Sequence, residues 1–144
     1  MKKLLCVVVA NAAMARVLER PSLTEPLAEV ECLVHPESRM HASELENERP
    51  GHSRQGRANL AQRTDAKERE RTEFARQIAH RLKEGVGANR FDGIVLFASN
   101  PFLGELLSHL DEGVRRLVTA SHALDLTALA LPDLRTRLRS ELQP

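Results

Sequence analysis

The chain has 144 residues, 42% of them hydrophobic, which fits one domain with one packed core and excludes global disorder. Aromatics make up only 3%, with no Trp and no Tyr, so the interior has to be built from Leu, Val and Ala. A formal charge of +1 excludes wholesale wrapping by nucleic acid and leaves a local patch as the only route to such a partner.

Lys2 and Lys3 precede an apolar run over residues 4–10, and Ala10-Asn11-Ala12 imitates a leader-cleavage site. That run is short for a leader, rich in valine, and followed at once by a second strand-like run. It reads as a strand buried on both faces, with a cleaved signal as the alternative. Asn11-Ala12-Ala13 makes a tight connection, since Asn tolerates positive φ. Residues 14–20 alternate, with Ala15 and Val17 on one face and Arg16, Leu18 and Arg20 on the other. Residues 21–26 form a turn. Residues 27–35 alternate again, with Ala28, Val30, Cys32 and Val34 facing one way and Glu29 and Glu31 the other. Three strands with short connections predict an antiparallel meander, and Arg16 or Arg20 is placed to meet Glu29 or Glu31. Cys6 and Cys32 fall in apolar strands and form neither a disulfide framework nor a zinc motif. They are expected to be buried thiols in a reducing, cytoplasmic setting.

A polar segment follows, expected as a loop over about residues 37–64. Its first 27 residues, 37–63, hold Met40, Leu45 and Leu60 as the only large apolar side chains. Glu37, Glu44, Glu46 and Glu48 come first, and Arg49, Arg54, Arg57 and Arg63 follow with no acid among them. Long loops in compact domains usually have a use.

Asp65 with Glu68 resembles a capping box at a helix start. Phe74, Ala75, Ile78, Ala79 and Leu82 supply its apolar stripe, and Gly85 its stop. Residues 91–99 form a second buried strand. Asn100 is placed to cap the next helix with Pro101 at its first position, and Phe102, Leu103, Leu106, Leu107 and Leu110 make the apolar side. Residues 114–123 read as a last strand. Pro132 opens a final helix with Leu134 and Leu138 inward and Arg135, Arg137 and Arg139 outward. The order βββ-αβαβα predicts an α/β layered domain: a mixed five-stranded sheet covered by helices, its last two strands parallel. No apolar stretch is long enough to span a membrane.

Ser99 and Asn100 sit where a buried strand meets a helix N-terminus, a position that favours anions. No glycine-rich loop accompanies them. The element order is shared with ribonuclease H-like folds, whose nucleases hold metal ions with carboxylates at strand ends. Here the first acid is Glu19, and Asn11, an amide, stands at the end of the first strand. His35, His41, His52, His80, His109 and His122 form no ligand motif, and are expected to be solvated or capping. Ser121-His122 with Asp125 does not converge as a triad, because neighbours on a strand point to opposite faces. No metal and no cofactor are expected. The strongest candidate is Arg49-Pro50-Gly51-His52-Ser53-Arg54-Gln55-Gly56-Arg57, whose arginines suit RNA phosphates. It lacks an aromatic for base stacking.

The start VVVANAAMARVLE, the pieces His35-Pro36-Glu37-Ser38-Arg39, Ser43-Glu44-Leu45 and Glu48-Arg49-Pro50-Gly51, the run IVLFASNPFLGELLSHL and the late Asp125-Leu126-Thr127 together resemble the bacterial host attachment protein family. That family is related to the central domain of archaeo-eukaryotic peptide-chain release factors. The resemblance implies one domain over residues 1–144, release-factor-like in fold, associated with the ribosome or structured RNA, with a part in attaching bacteria to a host. In release factors a Gly-Gly-Gln loop promotes ester hydrolysis. Gln55 sits in a comparable loop, but Arg54 precedes it and Gly56 follows, so that role is not carried over. The expectation is a non-catalytic module contacting ribosome or structured RNA through Arg49, Gly51, His52, Arg54, Gln55 and Arg57. The alternatives are a protein-interaction factor in attachment and a hydrolase using His52 or Gln55.

Overall fold

The computed structural model describes residues 4–21, 25–35 and 56–142, with the side chains of residues 56–64 outside the description. Strands β1 (Leu5–Ala10), β2 (Met14–Arg20) and β3 (Ala28–Val34) lead to helix α1 (Gly56–Gly87). Then come β4 (Gly93–Ala98), α2 (Phe102–His109), the short α3 (Glu112–Arg115), β5 (Val118–His122) and α4 (Leu131–Leu142). The five strands form one mixed sheet in the order β3-β2-β1-β4-β5. β1 pairs antiparallel with β2 and parallel with β4, and β4 pairs parallel with β5. The expected α/β layered domain with a βββ meander is therefore the observed one.

β1 is apolar on both faces because both faces are covered. Cys6, Val8 and Ala10 pack with Phe74, Ile78 and Leu82 of α1 and with Phe102 and Leu106 of α2. Val7 and Val9 pack on the other side with Leu18, Val95, Phe97, Leu126 and the α4 residues Leu134 and Leu138. The predicted α1 stripe is buried throughout. With few aromatics available, three of the four Phe side chains are placed as wedges between layers. Phe74 contacts Phe102 at 5.9 Å and stacks on His35 at 5.1 Å, while Phe97 stacks on His122 at 4.8 Å.

The structure corrects several sequence-based expectations. Helix α1 begins at Gly56, so residues 56–64 are helical and Asp65 with Glu68 does not start the helix. Ala58, Leu60, Ala61, Gln62 and Arg63 are good helix formers, but they lack an apolar stripe, so periodicity alone misses them. At the other end α1 runs past Gly85 to Gly87, and Asn89, at φ 57°, takes the left-handed conformation that ends it. Gly85 has a packing reason: a Cβ there would lie 2.5 Å from Cε1 of Phe91. Asn11 makes its turn through its side chain, whose Oδ1 accepts from the backbone N–H of Ala13 and Met14; among the described residues the one non-glycine with positive φ is Asn89.

β3 departs furthest from its pattern. Among the described residues it is an edge strand, and its pairing with β2 shifts register between Val17 and Leu18. Ala28, Val30, Cys32 and Val34 are exposed while Glu29, Glu31 and Leu33 are half-buried. The carboxylates are drawn in by arginines, Glu29 to Arg16 and Glu31 to Arg81 of α1. Cys32 is thus an exposed thiol, whereas Cys6 is buried and its thiol is pushed up to about 12 chiefly by that burial. His35 is likewise buried rather than solvated. Finally, the last strand starts only at Val118, because the residues before it turn into α3 around the buried Val114.

Candidate functional site

The arginine segment divides at the boundary of the description. Arg49, Gly51, His52, Arg54 and Gln55 lie outside the described residues. Arg57 lies in the first turn of α1, a turn that carries no acidic residue. Ser99 and Asn100 form the β4–α2 join, as expected. However, Pro101 rather than Asn100 takes the N-cap position of α2, and no side chain caps that end. The Ser99 carbonyl accepts from the Leu103 N–H at 3.0 Å.

The join lies beside the end of β1, since Ala10 pairs with Ala98. The carboxyl ends of parallel strands are the usual ligand edge of an open α/β sheet. Here that edge carries a polar cluster. Asn11 Nδ2 donates to Asp125 Oδ2 at 3.1 Å and to Thr127 Oγ1 at 3.0 Å. Asp125 Oδ1 accepts from both the backbone N–H and the hydroxyl of Thr127, at 3.0 and 2.6 Å. From the other side the buried Arg16 donates through Nη1 to the carbonyls of Thr127 and Leu129, at 3.1 and 2.5 Å. Its Nε and Nη2 hold Glu29 Oε1 at 2.8 and 2.6 Å. Five side chains thus lock the β1–β2 turn and the edge strand β3 onto the segment between β5 and α4.

The electrostatics fit a lock. Partial burial acts to raise the Asp125 carboxyl, but the three hydrogen bonds from the Thr127 hydroxyl, the Thr127 N–H and Asn11 outweigh it, holding the group below the ordinary carboxylate value. Asp125 is therefore an anion at neutral pH, already supplied with donors. The Thr127 hydroxyl points its proton at Asp125 and receives one from Asn11, so the base it meets is a carboxylate whose proton affinity those same hydrogen bonds lower, a weak activator. His122 stacks on Phe97 and Ser121 faces away into solvent, so the imagined Ser121–His122–Asp125 set does not form. Among the described residues no group of His, Cys, Asp and Glu is placed to hold a metal.

Sequence reasoning found Asn11 and Asp125-Leu126-Thr127 as separate motifs but did not join them, since 114 residues separate Asn11 from Asp125. The usable signal was Arg16: an arginine alternating into a strand face beside Leu18 needs buried acceptors.

A family model described as "Protein required for attachment to host cells" matches residues 6–138. No curated protein matches the chain. Among the described residues no helix is long and apolar enough to cross a membrane.

Proposed function

The chain belongs to the host attachment protein family, whose membership implies a part in attachment to host cells, and from that premise we propose that it acts as a binding module rather than a catalyst. Its contact surface is the arginine segment Arg49, Gly51, His52, Arg54, Gln55 and Arg57, and its partner is structured RNA, most readily as part of the ribosome. The kinship to peptide-chain release factors belongs to the same proposal.

One observation carries it. Residues 56–64 are helical, so Arg57 stands in the first turn of a 32-residue helix free of acids in that turn. A helix N-terminus carries roughly half a positive charge, and an arginine in a turn without acids adds to it. Phosphate is the group such an end attracts. The strand-end cluster supports the non-catalytic part, because its donors and acceptors are spent on one another. A cytoplasmic location follows from the partner. Attachment is then influenced indirectly.

A second reading has its own observation. β3 is an edge strand presenting Val30 and Val34, 46% and 40% exposed, a surface that suits a protein partner in attachment. A pulldown from lysate with and without nuclease separates the two. Loss of the captured material after nuclease supports RNA, and retention of a protein partner after nuclease refutes it.

A further inference from the structure

We propose that the cleft between α1 and the β2–β3 margin binds a small amphipathic cation, an apolar chain carrying one ammonium-type group. The cleft encloses about 320 Å³, a volume typical of small-ligand sites. It lies on the α1 side of the sheet, away from the Asn11–Asp125–Thr127 cluster, and takes no part in the function proposed above.

Its floor is apolar: Val17 and Leu33 from the sheet, Ile78 and Leu82 from α1, and Phe91 beyond the helix. Gly85 lets the Phe91 ring pack into that floor, because the ring occupies the space a side chain at Gly85 would take. The wall is charged. Arg81 reaches from α1 to Glu31 of β3, and Arg90 holds Glu19 of β2 at 3.0 Å. Each arginine is thus matched by a carboxylate. Glu84 lies on the same wall, and its nearest cationic partner is the exposed His80 at 3.4 Å, which is charged only when protonated.

Three glutamates against two arginines leave the wall with one net negative charge at neutral pH. The end of α1 adds to it. A helix C-terminus carries negative potential, ordinarily balanced by a basic residue in the last turn, and α1 has none there. Gly85 and Ala88, at that end, line the cleft. An apolar floor calls for a hydrocarbon body, and the surplus negative charge calls for a cationic head. An anionic head meets Glu84 and the helix end without a free arginine to receive it.

The test uses octylamine and octanoate, which share a chain and differ in charge, titrated calorimetrically into the full chain. Expected is saturable binding of one octylamine per chain, about tenfold or more tighter than octanoate. Glu84→Lys changes an exposed residue and reverses the sign of the wall, so it abolishes or inverts that preference. Ala88→Trp, also at an exposed position, obstructs the cleft and weakens octylamine by a similar factor. Thermal unfolding confirms that both variants fold. Equal affinity for the two probes, no saturable octylamine binding, or octylamine binding unchanged in both variants overturns the proposal.

Discussion

Arg16→Met offers a direct test of the lock at the strand ends. Methionine keeps an unbranched stem and removes the guanidinium. The Arg16 side chain is 9% exposed and that of Glu29 25% exposed, so the pair is buried on one side and wetted on the other. Breaking a fully buried pair costs about 3–5 kcal/mol, but the wetted Glu29 can turn toward water, which places the ionic part below that range. The carbonyls of Thr127 and Leu129 lose their Arg16 donor, at about 1–3 kcal/mol for each that stays dry. The sum predicts a loss of about 3 kcal/mol in urea unfolding with an unchanged slope, and a fall of roughly 6–12 °C in Tm. Glu29→Gln keeps an acceptor and loses about 1 kcal/mol. In the double mutant the losses fall short of additive, because the two residues share one interaction. A loss under about 1 kcal/mol for Arg16→Met, or strict additivity with Glu29→Gln, would refute the argument that these groups hold the layers together.

Other perturbations follow from the same geometry. Gly85→Ala gains about 1 kcal/mol of helix propensity but drives its Cβ to 2.5 Å from Phe91, so chemical denaturation should register a net loss of about 1 kcal/mol. Adding Phe91→Leu should remove that loss, and no recovery would show the contact to be irrelevant. The Asp125 carboxyl is lowered in the folded chain, so its stabilisation is full above the ordinary value of 3.8 and disappears as pH falls through the lower folded value. The Tm gap between wild type and Asp125→Asn should accordingly stay constant near neutrality and close at acid pH; a gap that widens on acidification contradicts it. Glu105 is held low first by the Thr72 hydroxyl, which donates to it at 2.6 Å across α1 and α2. Thr72→Val should move the Glu105 carboxyl titration upward in a carbon-detected NMR pH series, and an unmoved curve removes that bond from the account.

Much of the fold was legible because burial left clear periods. The valine run of β1 has no polar position, and β1 proved to be covered on both faces. The stripe through Phe74, Ile78 and Leu82 repeats at helical spacing because one face of α1 rests on the sheet. Leu134 and Leu138 were readable for the same reason. Expectations failed where something other than burial decides. The first turns of α1 carry no apolar stripe in the sequence, so periodicity has nothing to detect there. β3 reads as an ordinary alternating strand, yet its register shift and its arginine partners turn the carboxylates inward and Cys32 outward. Asn11 was seen as a turn residue and Asp125 with Thr127 as a motif, but pairing them requires the crossovers that bring the end of β1 beside the segment after β5. Composition alone does not encode that proximity.

The proposed function is tested most directly by the salt dependence of binding to purified ribosomes. Wild type should bind with an affinity that falls steeply as salt rises, because each phosphate contact releases counterions. Replacing Arg49, Arg54 and Arg57 together with Gln should weaken binding and reduce the slope of log K against log salt by about 2–3, in proportion to the contacts removed. Unchanged affinity and unchanged slope in that triple variant would contradict the assignment of the arginine segment as the contact surface.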